Sequence, residues 1–285
     1  MVERELNYEG KRPLLYLVAT PIGNLSEFSP RAISTLKEMD YIACEDTRNS
    51  GILLKYFEID KPLISCHEHN EEEASEKIIS LLLSGKKVAY MSDAGYPTLS
   101  DPGERLSEKA IKNGIKIAVI NGPSALLCAL SGSGLNDEHF LFYGFLPSKP
   151  SLRKKELKDL VGFKNTIVFY ESPHRIKDTL DDLSSILGGD RRACLCRELT
   201  KTHEEYIRDT LKGLDELDAS TLIGEMVIVV EGNKSPQKAL SDEDIIVLLK
   251  DALTEMTPKD AISSVYKEHG LNKKRVYDLY LKNLK

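Results

Sequence analysis

Three short turn segments carry the residue types from which a small-molecule site is built: Thr20-Pro21-Ile22-Gly23-Asn24, Ser92-Asp93-Ala94-Gly95-Tyr96-Pro97 and Asn121-Gly122-Pro123-Ser124-Ala125. Each follows an apolar, strand-like run. At the C-terminal edge of an open α/β sheet, glycine lets the backbone approach a ligand and helix N-termini offer free N–H groups, so three such turns together point to one shared pocket. Any one of them alone reads more readily as an ordinary connection rich in turn formers. Asp93 adds a carboxylate able to accept hydrogen bonds from a ligand hydroxyl or amine.

Further along, Phe169-Tyr170-Glu171-Ser172-Pro173-His174-Arg175 sets an acid, an imidazole and a guanidinium within five residues, and Arg197-Glu198-Leu199-Thr200-Lys201 ends another strand-like run. Such clusters suit a polar or phosphate-bearing substrate, because arginine binds phosphate bidentately. A structural ion-pair network is the alternative. The nucleotide fingerprints Gly-x-x-x-x-Gly-Lys-Ser/Thr and Gly-x-Gly-x-x-Gly after the first strand are missing, which counts against ATP hydrolysis and NAD binding. Cys66-His67-Glu68-His69 has no second Cys/His pair at zinc spacing and reads as a local helix cap, so no metal is expected. No Gly-x-Ser-x-Gly elbow supports a serine nucleophile.

Alternation of apolar runs (14–19, 41–44, 63–66, 87–92 and 115–120) with amphipathic stretches predicts βαβ units and a mainly parallel sheet. Ser29-Pro30 predicts a helix start, with Ile33, Leu36 and Met39 on its apolar face. Another helix begins at Asn70 and stops at Gly85. A third is expected at Asp101, with Pro102 in its first turn, Glu104 closing a capping box and Gly114 ending it. After residues 140–145, Leu146-Pro147-Ser148-Lys149-Pro150 marks a boundary, and runs at 165–171, 193–198 and 226–231 around a helix at 176–187 predict a smaller α/β domain with a mixed sheet. Lys234-Ser235-Pro236 reads as a linker to helices at 241–255 and 258–282, the second with a break at His269-Gly270. The expected domains are therefore 1–145, 146–233 and a helical appendage, 234–285. The fold class is α/β.

A chain of 285 residues with 41% hydrophobic and 29% charged residues holds two packed domains and excludes collagen-like or wholly disordered chains. Apolar runs of five or six residues are far below the ~20 that span a bilayer, so no membrane association is expected. Neither does the N-terminus look like a signal peptide. Five cysteines, four of them among apolar neighbours, read as reduced thiols of a cytoplasmic protein. Net charge −6 argues against nucleic-acid binding by bulk charge. Positive charge is nevertheless concentrated, with eight Lys/Arg against three Asp/Glu over 149–177 and five against one over 271–285. These stretches are either basic patches or solvated helix faces.

Leu17-Val18-Ala19-Thr20-Pro21-Ile22-Gly23-Asn24-Leu25, Glu45-Asp46-Thr47-Arg48, His67-Glu68-His69-Asn70-Glu71, Ser92 to Pro97 with Ser100-Asp101-Pro102-Gly103, Phe169 to Arg175 and Arg197 to Lys201 together resemble the ribosomal RNA small subunit methyltransferase I family of the tetrapyrrole methylase superfamily. The similarity runs from about residue 14 to 232, and Lys273-Lys274-Arg275-Val276-Tyr277 resembles the family's C-terminal segment. The resemblance implies a two-domain tetrapyrrole methylase-like fold and a homodimer. It also implies an S-adenosylmethionine-dependent enzyme that methylates the ribose 2′-hydroxyl of a cytidine in the decoding centre of 16S ribosomal RNA, free or in the small subunit. Thr20, Pro21, Gly23, Asp93, Ala94, Gly95, Ser124, Ala125 and Tyr170 are the implied cofactor residues. Tyr96, Thr98 and Asn121 depart from the family's usual smaller, more aliphatic or proline residues. Candidate bases for the hydroxyl proton are Glu171, His174 and Glu198. Candidate RNA contacts are Arg48, Arg175, Arg197 and Lys201 near the site, with Arg153, Lys154, Lys155, Lys273, Lys274 and Arg275 further out. Competing readings are a methylase of a small tetrapyrrole, a protein methylase, and a non-catalytic ribosome-assembly module.

Overall fold

In a computed structural model, the described residues are 6–9, 13–234, 241–268 and 271–285. The chain divides into a unit of residues 1–233 and a second of residues 234–285.

The first half of the larger unit alternates β1 (Leu14–Val18), α1 (Pro30–Lys37), β2 (Tyr41–Cys44), α2 (Thr47–Tyr56), β3 (Leu63–Ser65), α3 (Glu71–Leu83), β4 (Val88–Met91), α4 (Glu104–Lys112), β5 (Lys116–Ile120) and α5 (Ala125–Ser133). Its five strands form a wholly parallel sheet in the order β3-β2-β4-β1-β5. β4 shows why: its four residues are all buried, Val88 and Tyr90 entering one core and Ala89 and Met91 the other, as a strand covered by helices on both faces requires. The order sets β4, β1 and β5 side by side. The turns leaving them are the three singled out from the sequence, so they emerge next to each other at one sheet edge.

The start of α4 differs from expectation. Its N-cap is Gly103, with φ +117 and no side-chain cap, and the helix begins at Glu104. Glu71 supplies the cap instead: its buried Oε1 accepts from the backbone N–H groups of Gly103 (3.0 Å), Arg105 (3.0 Å) and Leu106 (3.3 Å). A Cβ at residue 103 would overlap the buried ring of Tyr90, so glycine is required there for space as well as for conformation.

The second half contains β6 (Phe140–Phe145), α6 (Pro150–Asp159), β7 (Thr166–Glu171), α7 (Ile176–Leu187), β8 (Arg192–Arg197), β9 (Glu205–Thr210), α8 (Leu211–Asp215) and β10 (Met226–Val230). The strands form a mixed sheet, β6-β7-β10-β8-β9, parallel between β6 and β7 and antiparallel elsewhere. β6 pairs in this second sheet, so sheet membership changes before the proline segment at 146–150. β10 is buried throughout, with Met226, Ile228 and Val230 on one face and Val227 and Val229 on the other. That other face is covered by α5, through Leu126, Ala129 and Leu130. A helix that follows the last strand of the first sheet therefore packs on the second.

Residues 234–285 contain α9 (Asp242–Glu255), α10 (Pro258–Glu268) and α11 (Lys273–Asn283), with Ile245, Leu249, Ile262, Val265 and Val276 as their own core. The linker at Ser235-Pro236 and the break at His269-Gly270 lie outside the described residues. Among the described residues no helix is long and apolar enough to cross a membrane.

Candidate functional site

The turns after β1, β4 and β5 enclose, with the near ends of β7 and β10, a cavity of about 300 Å³. That is at the small end of the roughly 300–1,000 Å³ typical of small-molecule sites. Its walls come from Ile22 after β1, from Ala94, Gly95, Tyr96, Leu99, Ser100 and Asp101 after β4, and from Ser124 and Ala125 at the start of α5. The second sheet contributes Phe145, Tyr170 to Pro173, Leu199 and Glu225 to Val227.

Local hydrogen bonding explains the shape of the turns. Thr20 and Gly95 exchange backbone hydrogen bonds (2.9 and 3.1 Å), Thr20 Oγ1 donates to the Ser92 carbonyl and Ser92 Oγ to that of Gly95. Gly95 has φ +75, a conformation open to glycine, and it lets the β4 turn fold back against the β1 turn. At the β5 turn, Ser124 caps α5 by accepting from Leu127 N. Tyr170 reaches across from β7, and its phenol oxygen accepts from Leu126 N in the first turn of the same helix. The departures Tyr96 and Asn121 meet each other: the Tyr96 hydroxyl bonds to Asn121 Oδ1 and accepts from Gly122 N at 3.3 Å.

Of the cofactor residues implied by the resemblance, Ala94, Gly95, Ser124, Ala125 and Tyr170 line the cavity. Thr20 is fully buried and holds the loop behind it, while Pro21 and Gly23 flank Ile22, the residue of that turn that reaches the cavity. Asp93 is exposed and outside the cavity lining, its carboxylate accepting from Asp46 N (3.3 Å) and Asn49 Nδ2 (3.1 Å).

Asp101, a helix cap by its spacing in the sequence, is instead a wall of the cavity. Burial, with the nearby Glu45 and Asp93 carboxylates adding to it, pushes its carboxyl up to about 7. With Asp101 in the lining and no Lys, Arg or His among the lining residues, the cavity is apolar and acidic. Such an environment favours a cation and disfavours an anion.

The candidate bases separate clearly. Glu171 is almost wholly buried, its carboxylate accepting from Ser172 N (2.8 Å) and Thr179 Oγ1 (2.7 Å) and pairing with Arg175 (3.3 Å). Its oxygens are engaged in the fold. Glu198 is a poor base, because hydrogen bonding to Lys201 lowers its carboxyl below the usual range. His174 is exposed, lies outside the cavity lining and has no hydrogen-bond partner among the described residues.

The basic residues separate too. Arg153 is 3% exposed and paired with buried Asp182 at 2.6 Å, so it does not face an external ligand. Arg175 donates to the Leu146 carbonyl and Ser148 Oγ, and Arg197 to the Ile223 carbonyl and Glu205, so both tie loops together. Lys154 and Lys155 are exposed on the same helix as Arg153. Arg48 has its side chain 87% exposed and, among the described residues, bonds only its own helix cap, Asp46, whose carboxyl it draws down to about 2. Lys201 bridges Glu198 and Glu225 at the cavity rim. In the smaller unit Lys273, Lys274 and Arg275 are exposed, and Arg275 pairs with Asp242 at 2.7 Å.

Comparison with known proteins gives this arrangement its class. A family described as Tetrapyrrole (Corrin/Porphyrin) Methylases matches residues 14–215, and one described as RsmI C-terminal HTH domain matches residues 239–285. Solved structures agree on the fold: a cobalt precorrin-4 methyltransferase superposes with TM-score 0.59 at 16% identity, over 76% of this chain and 94% of that one. A uroporphyrin-III-C-methyltransferase from Thermus thermophilus gives 0.56 at 19% identity, over 77% and 94%. The chain thus has the α/β fold of the tetrapyrrole methylases. Proteins called ribosomal RNA small subunit methyltransferase I are far more similar in sequence: that of Halalkalibacterium halodurans is 44% identical over 93% of this chain and 94% of its own length, and that of Bacillus subtilis 41% over 98% and 99%. The chain belongs to the ribosomal RNA small subunit methyltransferase I family.

Proposed function

We propose that this protein transfers a methyl group from S-adenosylmethionine to the ribose 2′-hydroxyl of a cytidine in the decoding centre of 16S ribosomal RNA, acting in the cytoplasm as a homodimer. The observation that carries the donor assignment is the cavity itself, apolar and acidic, with no basic residue in its lining. The bound donor supplies an electrophilic methyl group on a sulfonium cation. Asp101 provides compensating negative charge, Ile22, Leu99, Met226 and Val227 an apolar wall, and the backbone of Ala94, Gly95 and Ala125 close approach for polar groups.

Methyl transfer to a hydroxyl is an in-line displacement, so the protein's main contribution is to hold the attacking oxygen in near-attack geometry and keep water out. The acceptor assignment rests on the 40–44% identity to relatives bearing the ribosomal RNA methyltransferase name. Exposed Arg48, Lys154, Lys155, Lys273 and Lys274 fit phosphate contacts that position RNA without reading its sequence. His174 remains the candidate base whose ring is not already engaged.

The test is to supply methyl-labelled donor with small subunits, with bare 16S RNA, with a porphyrinogen and with protein, and to digest the labelled product. Label on a 2′-O-methylcytidine supports the reading. Label on the macrocycle or on protein alone, or donor binding without transfer to any acceptor, overturns it.

A further inference from the structure

Unusual backbone and packing features converge on the turn Glu198-Leu199-Thr200-Lys201. Glu198 (φ +49) and Thr200 (φ +68) both occupy left-handed backbone regions that non-glycine residues seldom adopt, and Thr200 Oγ1 is buried with no hydrogen-bond partner among the described residues. Two glycines make room for the turn. A Cβ on Gly224 (φ +86) would overlap the Glu198 carboxylate, and one on Gly23 (φ +146), in the turn after β1, would overlap Cγ of Lys201. Strain of this kind persists where the surroundings enforce it, which happens mostly at ligand clamps and active sites.

What the turn holds in place is the Lys201 ammonium, donating to Glu198 Oε1 (2.9 Å) and Glu225 Oε2 (3.0 Å). The two acceptors are not equivalent. Glu198 is largely covered and also accepts from Glu225 N at 2.8 Å, so it is fixed. The Glu225 carboxylate is 75% exposed, borders the cavity, and has Lys201 as its side-chain partner. An exposed ion pair of this type contributes little and exchanges partners readily.

Resting on the RNA reading above, we infer that Lys201 is a phosphate-binding residue for the target strand, held in reserve by Glu225: a phosphodiester oxygen takes the place of the Glu225 carboxylate on the ammonium while Glu198 keeps it aimed at the cavity rim. One anion replaces another, so the charge around Lys201 is conserved when Glu225 swings into solvent. The role is positional, setting the neighbouring ribose at the cavity mouth.

The test is a double-mutant cycle on the full-length protein, reading the Kd for in-vitro-transcribed 16S RNA by filter binding, its salt dependence, and the donor Kd by calorimetry. Lys201→Met weakens RNA binding about tenfold and lowers the salt slope by about one, with donor affinity unchanged. Glu225→Gln tightens RNA binding severalfold in the parent and has no effect in the Lys201→Met background. If Glu225→Gln weakens RNA binding, or acts equally in both backgrounds, the pair is structural and the inference falls. Should Lys201→Met fail to fold, Lys201→Arg takes its place, and the sign of the Glu225→Gln effect decides. Because binding is read apart from methyl transfer, a parent protein that binds RNA but labels none would refute the proposed reaction without touching this result.

Discussion

The phenol oxygen of Tyr170, on the second sheet, accepts a hydrogen bond from Leu126 N, in the helix that follows the first sheet, at 3.2 Å. It fixes the α5 start, and with it Ser124 and Ala125, against the far wall of the cavity. Tyr170→Phe leaves that amide without its acceptor at a cost of about 1–3 kcal/mol, so thermal unfolding should begin a few degrees lower. Calorimetry should show donor affinity falling severalfold; an unchanged Kd would separate Tyr170 from the site.

Asp101 makes a prediction about pH. A carboxyl raised to about 7 in the folded chain, from an unfolded value of about 3.9, holds its proton more tightly when folded. Its contribution to stability is therefore full below pH about 4 and is lost as the pH rises through about 7. Asp101→Asn should accordingly raise the Tm of the donor-free protein at pH 8 and abolish most donor binding. In the parent, a cationic donor needs the ionised acid, so affinity should drop as pH falls below about 7. Titration calorimetry between pH 5.5 and 8.5 checks both signs.

Arg153 and Lys155 share a helix and should behave oppositely. Arg153→Ala strands the buried Asp182 carboxylate with only Lys154 at 3.1 Å, a loss of about 3–5 kcal/mol visible in denaturant unfolding. Lys155→Glu, on the exposed face, should leave stability within about 0.5 kcal/mol and weaken RNA binding. A stable Arg153→Ala protein with impaired RNA binding would reverse that assignment.

At the other end of the chain, reversing Lys273 and Lys274 to Glu should weaken association with small-subunit RNA and flatten its dependence on salt by about one for each phosphate no longer neutralised. Binding measured from 50 to 300 mM salt reads both. Lines that superimpose on the parent would give these residues a different partner.

The parallel sheet was legible because its strands are short apolar runs separated by capped helices, as at Ser29-Pro30, whose cap forms as expected. The edge strand β9 was not: Glu205, Arg208 and Asp209 give it no apolar run, and only Tyr206, Ile207 and Thr210 are partly covered. Sequence also picked out the turns that line the cavity, but not the local partners of two acids within them. Asp93 is spaced like a ligand group yet braces Asn49 and the residue 46 amide. Asp101 is spaced like a cap, and gives that task to Glu71, far earlier in the chain and adjacent only in space. The pairing of Tyr96 with Asn121 was equally hidden, because two departures from a pattern become one compensated change only once the turns are adjacent.

Since α5 follows β5 in the chain but lies over Val168, Cys194, Val227 and Val229, neither lobe can be produced by cutting at the change of sheet. A cut between α5 and β6, where the sheet changes, would strip the later strands of their cover and present a sticky greasy slab, so any attempt to dissect the molecule must leave that helix attached to what comes after it.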